Sequence, residues 1–214
     1  LTNSYIPKIN ISEKEFLKFR SKWWIKNSNL KIIEEYLIKN QIINTHEDLT
    51  RFLVDKYLSM NSINEACNIF LKNSEPINDE YLSKFNIYCL IVLKKNEEAQ
   101  LILDLKKELG FKDKYFEEKI NFLLGYNSNV ENSISVKSIL DFHLAHKTNS
   151  DFIFEPNEKT NKIIWKYLSS ANLFNDFQEI DISELNKIST LEKAAHNKNY
   201  PEKDLFELYK RFQF

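Results

Sequence analysis

The chain has 214 residues, of which 43% are hydrophobic and 29% charged, and its formal net charge is −1. That balance suits a well-packed folded protein and excludes a disordered one; without a net field, bulk electrostatics recruits neither nucleic acid nor an anionic membrane. Glycine occurs only at Gly110 and Gly125, which excludes a Walker A loop, a dinucleotide GxGxxG turn and a GxSxG elbow.

No run reaches the ~18 apolar residues of a membrane span. The opening LTNSYIPKIN lacks signal-peptide organisation, so the chain reads as a mature product or a segment cut from a longer protein, and its compartment stays open. Ser12-x-x-Glu15 is a capping-box pattern opening EFLKFRSKWWIK. Thr45 is placed to cap HEDLTRFLVDKYLSM, with Glu47 and Asp48 in the first turn, where the helix dipole favours acids. Ser62-x-x-Glu65 opens a helix through Leu71, and Asn78 followed by Asp79 and Glu80 opens the next, to about Lys94. Its FNIYCLIVL core is apolar on nearly every side, which predicts a central helix.

A helix from near Glu97 ends at Gly110, and another, about Asp113–Leu124, ends at Gly125. Each glycine follows a helical run and precedes a large apolar residue, the pattern of a left-handed Schellman stop. The polar stretch NSNVENSIS (127–135) is the best boundary, dividing residues 1–130 from 131–214. Beyond it, helices are expected at about Val136–His146, Asn157–Ala171, Ser183–His196 and Pro201–Phe212. No convincing strand pair appears.

Few residues offer chemistry. Cys67 and Cys89 match no metal-ligand spacing and sit among apolar neighbours, where a free cysteine behaves as a small hydrophobe; a bridge requires them to face each other on adjacent helices. Asp141, His143 and His146 (DFHLAH) are the one cluster that resembles a metal or acid/base site, because residues three apart share a helix face. A zinc site needs further ligands that no His-Glu-x-x-His pattern supplies, so the plain expectation is two ordinary helix histidines and no metal. In FLKFRSKWWIK (16–26), Lys18, Arg20, Lys22 and Lys26 interleave with Phe16, Phe19, Trp23 and Trp24. Such interleaving serves single-stranded nucleic acid or a membrane interface, but it equally describes a terminal helix whose aromatics pack inward. Acidic runs such as Glu97-Glu98 and Glu117-Glu118 read as solvated faces, and Tyr81, Phe85 and Tyr88 as core.

One feature organises the rest. FLVDKYLSMNSINEACNIF (52–70) returns 33 residues later as FNIYCLIVLKKNEEAQLIL (85–103): Phe52 on Phe85, Val54 on Ile87, Glu65-Ala66 on Glu98-Ala99, Ile69 on Ile102. A period in the low thirties with two helices per unit marks a helical repeat. Residues 45–110 resemble the tetratricopeptide class, in which a small residue sits where two helices cross; Ala66 and Ala99 hold that place. The period is 33 rather than 34, and the family's Trp-Leu-Gly and closing proline are missing. The blocks AQLILDLKKELGF and LFELYKRFQF also resemble uncharacterised helical proteins of alphaproteobacteria, a likeness that implies no activity.

The expected fold is all-α, an antiparallel helix-hairpin array of about ten or eleven helices without a sheet. Residues 1–130 would form the tetratricopeptide-like α-solenoid, and 131–214 a helical segment packed onto it or continuing it. The resemblance implies a non-enzymatic scaffold without cofactor, docking a peptide or partner helix in its groove. The alternatives are nucleic-acid or membrane-surface binding through 12–26 and, last, a metal-dependent enzyme using His143 and His146.

Overall fold

The computed structural model describes residues 9–27, 29–40, 43–71, 76–157, 159–174 and 180–212. Among them are eleven α-helices and no strand: α1 Glu13–Asn27, α2 Leu30–Asn40, α3 Glu47–Ser59, α4 Ile63–Asn68, α5 Glu80–Val92, α6 Asn96–Glu108, α7 Lys114–Leu123, α8 Ile139–Thr148, α9 Lys162–Ser170, α10 Leu185–His196 and α11 Glu202–Arg211. They gather into two compact units, one of residues 1–57 and 63–131, the other of 58–62 and 132–214.

The first unit is built on α5, which packs against α6 and α7 and buries Leu82, Phe85, Ile87, Tyr88 and Cys89. Helix starts recur: α5 begins 33 residues after α3, α7 34 after α5, and α6 33 after α4. Ala66 on α4 and Ala99 on α6 are both fully buried, so neither position has room for a larger side chain.

One capping device occurs twice. Asp79 accepts the Leu82 N–H (2.9 Å) at the start of α5, and its other oxygen accepts Arg51 of α3, with Nε at 3.0 Å. Asp113 accepts the Phe116 N–H (3.0 Å) at the start of α7, and its other oxygen accepts Lys84 Nζ of α5 at 2.9 Å. Each carboxylate thus satisfies an orphan helix donor and a cation from the helix two before. Lys84 follows Arg51 by 33 residues and Asp113 follows Asp79 by 34.

Cys67 and Cys89 form a disulfide, with Cα atoms 5.3 Å apart. They are not the free apolar thiols that their spacing suggests: α4 and α5 present them to each other. The bridge matters to α4, whose six residues are too few to hold a helix alone. Helix α4 stops at Asn68 rather than Leu71, where the Phe70 N–H turns back to the Cys67 carbonyl (3.0 Å).

Helix ends follow local chemistry. Ser12 and Glu15 make the reciprocal capping box, with the Ser12 N–H on Glu15 Oε2 (3.0 Å) and the Glu15 N–H on Ser12 Oγ (3.3 Å). At α6, the Gly110 N–H reaches the Lys107 carbonyl and the Phe111 N–H reaches that of Lys106, both 3.0 Å, the Schellman pair. Gly110 takes φ +94° and Gly125, after α7, φ +81°. In both, the left-handed φ rather than crowding selects glycine, since a Cβ would meet nothing within 4 Å.

Several boundaries differ from the sequence reading. Asp79, not Asn78, caps α5; the Asn78 N–H is held by Asn44 Oδ1 (3.1 Å). Helix α3 starts at Glu47, with the His46 carbonyl rather than Thr45 receiving the Thr50 N–H (2.9 Å). Helix α9 starts at Lys162 behind its Asn161 cap, because Asn157 and Thr160 close a turn of their own. Helix α8 starts three residues late, at Ile139, capped by Ser138.

In the second unit α8 packs on α9 and α10 on α11. Phe142, Leu144, Tyr167, Leu168 and Leu191 form its innermost layer, each without exposed surface. Phe142 meets Phe152, Phe154 and Tyr167 edge-on at 4.9–5.6 Å, a geometry aromatic quadrupoles favour. The 152–154 segment is thus packed by its rings without forming a strand.

Candidate functional site

The first unit holds a cleft of about 280 Å³ lined by Asn78, Glu80, Ser83, Lys84, Ile87, Lys106, Leu109, Gly110 and Phe111. Three elements build it: the start of α5, the end of α6 and the turn at Gly110. The Schellman stop matters here because it folds Phe111 back beside Leu109 at the cleft wall. The floor is held by charge. Lys84 lies between Asp113 (2.9 Å) and Glu80 (3.9 Å) and over the Phe116 ring (5.8 Å); Lys106 Nζ donates to the Ile77 carbonyl (3.1 Å).

Both ammonium groups are therefore fixed in place by acceptors already present. The cleft offers pre-placed donors beside Ile87, Leu109 and Phe111, a mixed surface suited to a peptide, which has backbone acceptors and apolar side chains. No sequence motif marks this site, since its residues come from 78 to 111 and meet only through packing. Of the residues singled out from sequence, Gly110 lines it, while Ala66, Ala99 and Gly125 lie elsewhere in the helix framework.

The histidine cluster of α8 is arranged around a phenol. His143 Nδ1 and His146 Nδ1 lie 2.8 and 2.7 Å from the same Tyr167 hydroxyl. A hydroxyl has one proton, so it donates to one imidazole and accepts N–H from the other, and the two rings take opposite tautomers. His143 is fully buried, and desolvation, reinforced by Lys147 and His146, holds its pKa down to about 3; His146 is lowered for the same leading reason. Asp141 faces Ser135 Oγ (3.4 Å). Among the described residues no group of three His, Cys, Asp or Glu side chains converges as metal ligands do.

Helix α1 divides its basic-aromatic residues between two sides. Arg20, Ser21 and Trp24 are buried. Trp24 stacks on Tyr36 of α2 (5.1 Å), and Arg20 lies over the same ring (5.3 Å). Ser21 Oγ and the Tyr36 hydroxyl occupy both nitrogens of His46, at 3.0 and 3.2 Å. Burial, with a smaller contribution from Arg20, pushes the His46 pKa down to about 4. Lys18, Phe19, Lys22, Trp23 and Lys26 face solvent instead. The inward-packing expectation therefore holds for Trp24 but not for Trp23.

No protein-family model matches the chain, and no match is found among curated proteins or solved structures. No helix among the described residues is long and apolar enough to cross a membrane.

Proposed function

We propose that the first unit is a non-enzymatic interaction module of tetratricopeptide-like helix pairs that docks a peptide or partner helix in the 78–111 cleft. The supporting observation is the cleft itself: fixed Lys84 and Lys106 beside an apolar wall, set between the successive helices α5 and α6. Stacked helix pairs generate recognition surfaces of this kind between neighbouring units. The Cys67–Cys89 bridge fits a chain that folds in an oxidising compartment.

The test is selection of a displayed peptide library on the full chain, followed by affinity measurement with Asn78→Trp and Lys106→Glu. Asn78 is exposed at the cleft, so the indole obstructs the site without entering the core. Selected peptides should lose about tenfold or more in affinity for both variants. Peptides that bind both variants as well as the parent chain would place recognition elsewhere.

A further inference from the structure

Two exposed faces of the first unit are not explained by its core, and of their apolar residues Leu109 alone also lines the cleft. On α6, Leu101 and Leu105 and the capping Leu109 are 60%, 50% and 84% exposed. Spaced by four, they fall within one narrow strip of the helix surface. This row lies away from Ala99 and Leu103, which α6 buries. Its flanks are acidic. Glu97 and Glu108 have no ion pair among the described residues, Asp104 accepts only the neutral Gln100 amide (2.8 and 2.9 Å), and Glu98 is matched by Lys95.

On α1 the outward strip is basic. Lys18, Lys22 and Lys26 recur at the same spacing of four, beside Phe19 and Trp23, which are 58% and 37% exposed. None of the three lysines has an ion pair among the described residues. Lys22 sits two residues from both Arg20 and Trp24, roughly half a turn away, so this strip faces away from the contact with Tyr36. The strips are complementary: three cations with two rings on α1, unmatched carboxylates with three leucines on α6, each row spanning nine residues.

We infer that the α1 strip of one copy docks on the α6 strip of a second copy, giving a head-to-tail association of this chain. Like-with-like pairing of either strip would set cation against cation or carboxylate against carboxylate. Cross-pairing removes that repulsion and covers apolar surface on both sides. Because the contact is heterologous, a pair of copies still has one free strip of each kind, so association proceeds beyond two copies. Three leucines make a smaller patch than the roughly 800 Å² per partner of a standard stable interface; the association is therefore weak and salt-sensitive.

Sedimentation of the full chain from low-micromolar to near-millimolar concentration tests this, with the charge-reversal pairs Lys18→Glu/Lys22→Glu and Asp104→Lys/Glu108→Lys. All four positions are exposed, and circular dichroism confirms that the variants fold. The parent chain should self-associate, more weakly at high salt. Each variant alone should associate about tenfold or more weakly, and an equimolar mixture should recover association, because both mixed junctions again pair opposite charges. Leu105→Ser should abolish association at every salt concentration. A parent chain that stays monomeric throughout overturns the inference. So does association that both reversals leave intact while Leu105→Ser removes it, which would mean leucine rows pairing with themselves. Binding of the monomer to phosphatidylglycerol vesicles or oligo(dT), lost in Lys18→Glu/Lys22→Glu, would overturn it in favour of a membrane or nucleic-acid partner. Asn78→Trp, which alters neither strip, should not change association, which separates this outcome from that of the peptide-docking proposal.

Discussion

The two units solve one problem, fixing helix to helix, by different chemistry. The first uses one device twice: an aspartate caps α5 and α7 and accepts a cation from the helix two before, Arg51 for Asp79 and Lys84 for Asp113. These carboxylates stay at helix ends, where they are partly solvated. The second buries its polar contact, placing one phenol between two imidazoles in an aromatic layer. Surface-end devices recur cheaply because each tolerates imperfect geometry in water. A buried polar triad is expensive unless every member is satisfied; the first unit holds one as well, with Ser21 and Tyr36 on the two nitrogens of His46.

The sharpest way to break this contrast is Tyr167→Phe. It deletes one hydroxyl and leaves two buried nitrogens without their partner, for an expected loss of about 3 kcal/mol in a urea-unfolding measurement. Hydrogen exchange should show the loss concentrated in α8 and α9. A loss below that of an exposed hydroxyl would mean the triad does not order the second unit.

Cys67→Ala/Cys89→Ala should cost nearly as much, about 3 kcal/mol for a loop of this length, with exchange rising first in α4. Equal melting temperatures of oxidised and reduced chain would refute a stapling role.

The pH response draws on both units. His143 is held neutral in the fold, with a pKa of about 3 against about 6.5 unfolded. Its contribution is complete above pH 6.5 and is lost as pH falls toward 3, at about 1.4 kcal/mol per pH unit. His46 is also depressed and adds in the same direction. Unfolding midpoints measured between pH 6.5 and 5, above the carboxylate range, should therefore fall with acidification. A flat profile would show that water reaches these rings.

The smallest expected effects belong to the first unit's device. Asp79→Ala and Asp113→Ala should each cost about 1 kcal/mol, the ordinary value of an N-cap. Similar losses, read by chemical denaturation, would support one device used twice; a several-fold difference would make one of them incidental.

Much of the helical framework was legible locally. The Ser12–Glu15 box, the acidic first turns and the two glycine stops are short-range events that a few adjacent residues dictate. Helix α2 escaped delineation although Asn29 before LKIIEEYLIK is a cap signal, and Asn29 Oδ1 accepts the Ile32 N–H (2.9 Å). The cleft was not legible, because Asn78, Lys84, Lys106 and Phe111 share no motif and only α5–α6 packing assembles them. The leucine row at 101, 105 and 109 was visible as a spacing, but apolar spacing does not say which of two rows on a helix faces inward.

The sequence by itself determined an all-helical chain, its helix stops and the 33-residue echo of Phe52–Phe70 in Phe85–Leu103, since periodicity and capping act within a few residues. Only the tertiary structure decided that Cys67 meets Cys89, that His143 and His146 turn to one tyrosine, and that Arg51 and Lys84 play the same part. Each of those depends on which faces of two distant helices are brought together, and burial of the whole core, rather than any local pattern, makes that choice.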